Sequence, residues 1–164
     1  MTADAAGIDG LNVLSAAEAA NALLDCCASP EWAATLVALR PFLDRAALFD
    51  AADAAVARLP EAEIDLALAG HPRIGERADS AASAREQAGV ATAEDEVKAA
   101  LAAGNRAYEA RFGHIYLVCA SGRSGAELLE LLTARLDNDP ETERRVMRTE
   151  LAKINRIRLG RLLG

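Results

Sequence analysis

Few cysteines, few aromatic residues, only two histidines and no excess of positive charge mark this chain of 164 residues. Cys26, Cys27 and Cys119 form an odd set with two adjacent members, and no secretory signal precedes them. Such a set is not expected to build a disulfide framework; it reads as buried or inert thiols in a reducing compartment. Neither the cysteines nor His71 and His114 show ligand spacing, so no metal site is expected. Aromatics at 4% argue against a sandwich of aromatic-rich strands. A formal net charge of -7 speaks against nucleic acid or an anionic membrane as partner, because counterion release needs a basic face. No run approaches the ~18 apolar residues that would span a bilayer, so a soluble protein is expected. Arg161-Leu162-Leu163-Gly164 lacks a peroxisomal address, which favours the cytoplasm.

Present instead is a 52% hydrophobic content that leans on alanine, suited to closely packed helices. A chain of this length fits one domain, residues 1–164, and buries roughly 70% of the surface its unfolded form exposes. Helix punctuation recurs throughout. Ser15-x-x-Glu18 caps a run through Leu23 and Leu24, and Ser29-Pro30-Glu31 offers an N-cap with proline at N1 ahead of Trp32, Leu36 and Leu39. Asp44 caps a run through Leu48, Phe49, Ala52, Val56 and Leu59; Pro60 and Glu61 then open the helix containing Ile64, Leu66 and Leu68. Thr92-x-x-Asp95 begins a longer helix through Val97, Leu101 and Tyr108, which stops before Phe112-Gly113; Ser124-x-x-Glu127 repeats the capping pattern. After a turn at Asp137 to Pro140, a last helix places Val146, Ile154, Ile157 and Leu162 on the core and leaves Glu141, Glu143 and Arg144 wet. The expected fold is all-α, roughly eight helices. The apolar run His114 to Ala120 is ambiguous between a strand, which would lack a partner, and a buried helix.

Two short stretches carry titratable groups. In Gly70-His71-Pro72-Arg73-Ile74-Gly75-Glu76, Gly70 suits the C′ position of a helix and Pro72 disfavours helical geometry at His71. An imidazole on a bend at a helix end is placed where side chains can face a cavity. Ser83-Ala84-Arg85-Glu86-Gln87 has capping-box spacing, and on the plain structural reading Glu86 only starts a helix. Glu76 and Arg77 read as solvated charges at a helix end. Arg156, Arg158 and Arg161 lie in a basic C-terminal helix whose charge complements the dipole.

Taken together, His71-Pro72-Arg73-Ile74-Gly75-Glu76, Ser83-x-x-Glu86-Gln87 and Asn105-x-x-Tyr108-x-x-Arg111-Phe112-Gly113 resemble the OHCU decarboxylases, which act on 2-oxo-4-hydroxy-4-carboxy-5-ureidoimidazoline. Order and spacing of all three match. The likeness extends to Leu11-Asn12, Cys26 to Trp32, Arg40-Pro41-Phe42, Gly122-Arg123-Ser124 and Arg156-Ile157-Arg158-Leu159, nearly the whole chain.

The resemblance implies a cofactor-independent carboxy-lyase that forms (S)-allantoin in urate breakdown. His71, Glu86 and Arg158 become the expected catalytic residues. His71 would handle the substrate hydroxyl or its proton near neutral pH. Glu86 would orient His71 or grip the hydroxyl and ring nitrogens, and the Arg158 fork would pair with anionic charge. Pro72, Ser83, Gln87, His114 and Ile115 would complete a substrate pocket, with backbone near Ile115 reaching a ureido or ring carbonyl. His114 stands where many relatives carry an apolar residue, and Arg73 replaces an acidic one, which sets its charge apart from catalysis. The resemblance favours a loop entering a buried helix at His114 to Ala120, and implies a homodimer with functional links to urate oxidase and 5-hydroxyisourate hydrolase. Composition alone also permits a lyase or hydrolase on another ureido compound, or a non-catalytic helical interaction module.

Overall fold

The computed structural model describes residues 7–75, 81–91 and 93–164. Glu76, Arg77 and Thr92, singled out above, lie outside the described residues. Among the described residues there are ten helices and no strand: α1 Gly7–Val13, α2 Ala16–Cys26, α3 Pro30–Leu39, α4 Arg45–Arg58, α5 Glu61–Ala69, α6 Ala81–Glu86, α7 Ala88–Ala91, α8 Asp95–Phe112, α9 Gly125–Arg135 and α10 Pro140–Leu163. The sequence suggested roughly eight. The surplus comes from the short α1 and from a break at Gln87 that divides α6 from α7.

Half of these helices begin where a side chain satisfies the orphan N–H groups of a first turn. The Ser15, Ser29, Asp44 and Ser124 oxygens accept from the backbone N–H of Glu18, Trp32, Ala47 and Glu127, and Ser124 with Glu127 forms a reciprocal capping box. Asp139 accepts from both the backbone and the hydroxyl of Thr142 at the start of α10. Ser83, expected at an N-cap, lies inside α6 instead, two residues after the first. Gly70 caps α5 at φ -85° rather than in the left-handed region, whereas Gly113 ends α8 at φ 78° and uses the freedom that glycine has there.

The chain forms two compact units. The first comprises Met1–Gly70 and Ala152–Gly164. In it α3 lies against both α2 and α4. Leu23, Trp32, Leu36, Leu48, Ile64 and Leu159 are fully buried there, and the Trp32 indole N–H donates to the Ala52 carbonyl at 3.2 Å. Cys26 and Cys27 are buried free thiols. Burial pushes the Cys26 thiol up to about 12 against an opposing pull from Arg158, and burial also raises Cys27.

The second unit is His71–Leu151. Its core gathers Ile74, Val90, Leu101, Tyr108, Tyr116, Val118, Leu128 and Leu132 around the contact of α8 with α9. Glycine permits the closest approaches: a Cβ on Gly89 would stand 2.0 Å from the Arg123 carbonyl oxygen, and one on Gly104 would stand 2.5 Å from Leu132 Cδ2. A carbonyl in a packed turn cannot move aside as a leucine methyl can.

The face α10 buries runs through Glu143, Met147, Glu150, Leu151, Ile154, Asn155, Leu159 and Leu163. Of the residues expected on the core only Ile154 is buried; Val146, Ile157 and Leu162 are half-buried beside that stripe. Glu143, expected in water, is fully buried.

Two alanine substitutions therefore differ in sign. Gly89→Ala should lower stability by roughly 1–3 kcal/mol or more, because backbone must shift. Gly160→Ala, in α10 with only Arg45 Nη2 at 3.8 Å from the added carbon, should raise it by about 0.5–1 kcal/mol. Thermal melts of the two variants beside the parent chain check the opposition.

Candidate functional site

In the second unit the motif segment that begins at His71 is hydrogen-bonded to each of the other two. His71 sits half-buried on a bend directly after Gly70, as proline at the next position requires. The following three residues are each gripped by a different side chain. The Arg73 guanidinium forks onto both oxygens of Glu109, at 2.8 and 2.7 Å. The Ile74 carbonyl accepts from Asn105 Nδ2 at 2.8 Å, and the Gly75 N–H donates to Gln87 Oε1 at 3.0 Å. Asn105 and Glu109 are one helical turn apart on α8, so one face of that helix receives the segment. The Arg73 hydrogen bonds hold the Glu109 carboxyl below the usual carboxylate range.

Ser83 and Glu86 lie at i and i+3 of α6, hence on one face, and both are buried. Burial of a serine and a carboxylate on a six-residue helix is not what an ordinary cap displays, since most glutamates at helix ends stay in water. Gln87 follows at the α6–α7 break, half-buried, its oxygen committed to Gly75 and its backbone N–H to the Ser83 carbonyl.

The stretch 115–120 is extended rather than helical, which corrects the expected buried helix. Tyr116, Val118 and Ala120 enter the core of this unit, and Leu117 between them is buried as well. Helix-borne side chains satisfy its backbone in place of a partner strand: Arg135 Nη1 donates to the Leu117 carbonyl at 2.6 Å, and the Cys119 N–H donates to Glu150 Oε1 at 3.1 Å. Arg135 also donates to the buried Glu143 carboxylate, which accepts from the Tyr108 hydroxyl at 2.5 Å and from Asn138 at 3.0 Å. Burial and then the hydrogen bond to Glu143 push the Tyr108 phenol up; burial does the same to Tyr116, whose ring stacks beneath the Arg135 guanidinium at 4.8 Å. Sequence reasoning missed Arg135, Glu143 and Glu150. A signal was there, for Glu143 keeps helical register with Met147, Glu150 and Leu151 on the stripe that α10 buries.

His114 and Ile115 enter this extended stretch, both half-buried. The His114 Nδ1 and the Ile115 carbonyl are 3.0 Å apart, so Nδ1 donates to it. The imidazole stands edge-on to Tyr108 and stacks on Phe112. Arg158 belongs to the first unit, on α10, where it is half-buried and its Nη1 donates to the Cys26 carbonyl at the end of α2. Among the described residues no cluster of histidine, cysteine, aspartate or glutamate is arranged to hold a metal.

Removing one partner of the buried Arg135–Glu143 pair should be costly. Glu143→Leu, which strands a guanidinium, is expected to lose about 3–5 kcal/mol, read from the urea midpoint in equilibrium unfolding.

Residues 12–160 match the family model described as OHCU decarboxylase. The chain is 28% identical over 147 residues to the uric acid degradation bifunctional protein TTL of Arabidopsis thaliana, an alignment covering 85% of this chain and 45% of that protein's length. The fold is similar to the crystal structure of an OHCU decarboxylase in the presence of (S)-allantoin, with a TM-score of 0.76, 28% identity and coverage of 85% of this chain and 95% of that one. An (S)-allantoin synthase structure shares the fold at a TM-score of 0.74 and 20% identity, covering 96% of this chain and 54% of that one.

Proposed function

The chain belongs to the OHCU decarboxylase family, and from that premise we propose that it converts 2-oxo-4-hydroxy-4-carboxy-5-ureidoimidazoline to (S)-allantoin, as a carboxy-lyase of urate catabolism that needs no cofactor. The observation that carries this reading is the grip of two motif segments on the third: Arg73, Ile74 and Gly75, immediately after His71 and Pro72, are held by Glu109, Asn105 and Gln87. Residues whose spacing merely resembles a family could have scattered over separate surfaces. These are physically tied.

The chemistry asks little of the protein. Breaking the bond to the departing carboxylate frees an electron pair, which the adjacent carbon–nitrogen double bond of the ring accepts as carbon dioxide leaves. A proton is then returned to one face of the ring, and that choice sets the handedness of the allantoin. In this reading His71 manages the hydroxyl proton or the returning one, because an imidazole changes charge near neutral pH. Glu86 orients it or grips the hydroxyl and ring nitrogens, and Arg158 binds anionic charge with its fork. Ser83, Gln87, Pro72, His114 and the Ile115 backbone supply shape and hydrogen bonds. Support for Glu86 in this role is its burial beside Ser83 on one face of α6. The adjacent buried thiols Cys26 and Cys27 are held protonated by burial and take no part.

We also propose that the protein works as a cytoplasmic homodimer, in sequence with a urate oxidase and a 5-hydroxyisourate hydrolase that generate its short-lived substrate. The family resemblance supports these points.

Circular dichroism at the allantoin band decides the activity. With substrate made in place from urate by those two enzymes, the protein should speed the appearance of one-handed allantoin above the slow racemic background. His71→Asn should keep its helical spectrum and lose about 10²- to 10⁴-fold in turnover; undiminished turnover in the folded variant would remove His71 from the mechanism.

A further inference from the structure

Asn105 is buried, 4% exposed, in the middle of α8, where a carboxamide needs a reason to be. Its Nδ2 donates to the Ile74 carbonyl at 2.8 Å, while Oδ1 is buried with no hydrogen-bond partner among the described residues. A residue kept for packing would be apolar, since an apolar side chain of that size fills the same space without stranding an acceptor. Only the donating half of this carboxamide is used, and it is used on one group.

That group lies three residues from His71. Of the described grips on the turn, the Arg73–Glu109 fork is largely exposed and is screened by water and salt. The Gln87 contact to Gly75 is exposed as well. Asn105 makes the buried one. The Ile74 side chain is packed into the core of this unit, while a cleft of about 320 Å3, lined in part by Arg73, Ile74, Gly75 and Asn105, opens on the other side of the turn and leaves its backbone to be held by hydrogen bonds. Gly75, at φ 90°, adds a backbone that is intrinsically free to adopt other shapes.

We infer that Asn105 is a positioning residue for His71: by holding the Ile74 carbonyl it fixes the turn that sets where the imidazole points. The inference rests on the catalytic role proposed above for His71. Asn105 does not touch substrate in this scheme. Its loss should act through the histidine, lowering kcat and leaving KM nearly unchanged, by about tenfold to a hundredfold for a displacement near 1 Å.

The two histidines make the test clean, because His71 and His114 give only two imidazole signals in a carbon–proton correlation spectrum. In folded Asn105→Ala the His71 signal should shift or broaden while that of His114 holds. The kcat loss should also be absent when Asn105→Ala is added to His71→Asn. An unmoved His71 signal in the folded variant, or a loss that multiplies in full on the His71→Asn background, overturns the inference. Should Asn105→Ala fail to fold, Asn105→Asp, which keeps the shape and removes the amide donor, is read by the same two criteria. A wild-type protein inert toward the ureidoimidazoline would instead refute the proposed activity, and the imidazole spectrum would still decide whether Asn105 positions His71.

Discussion

A single guanidinium organises the second unit. Arg135, at the last position of α9, bonds the Glu143 carboxylate and the Leu117 carbonyl at once, and Tyr108 of α8 completes the set by donating to Glu143. Three helices and one extended segment thus meet at a buried ion pair. A pair of this kind is weak as net stabilisation, because desolvation offsets most of the Coulomb gain. Its value lies in geometry: a planar fork accepts few arrangements of partners, whereas leucines and alanines tolerate many. In a core built largely of leucine, valine and isoleucine beside two tyrosines, polar contacts do much to select one packing from several similar ones.

The same economy holds the candidate site. Side chains on helices reach out to backbone groups of non-helical segments: Asn105 and Gln87 to the turn after His71, Arg135 and Glu150 to the extended stretch after His114. Functional groups borne by irregular backbone gain reach, yet irregular backbone leaves N–H and C=O groups to be satisfied. Here regular elements supply the missing partners, so segments that would otherwise wander are fixed to rigid supports.

Local rules made much of this legible in advance. Ser15, Ser29, Asp44 and Ser124 cap where their spacing predicts, since a cap depends only on a few neighbouring residues. Ser83 has the same spacing from Glu86 and yet lies inside α6, with both side chains buried; the pattern was identical and the surroundings were not. Glu143 fails for a related reason. Hydropathy assigns a carboxylate to water, and Arg135, eight residues away, makes its burial tolerable together with Tyr108 and Asn138. The stretch from Ile115 to Ala120 is neither helix nor strand, and its backbone partners are an arginine and a glutamate on helices, a solution that no propensity scale encodes. The motif residues were legible by likeness to a family; the job done by Asn105 was legible only from coordinates.

The aromatic scarcity noted at the outset has an optical consequence. The sole tryptophan, Trp32, is fully buried in the first unit with its indole N–H on the Ala52 carbonyl, and both tyrosines, Tyr108 and Tyr116, are buried in the second. Emission excited at the red edge of the ultraviolet band therefore reports on one unit, and tyrosine absorbance on the other. Nature has in effect labelled the two halves with different chromophores, so whether they melt together or apart can be watched without attaching any dye.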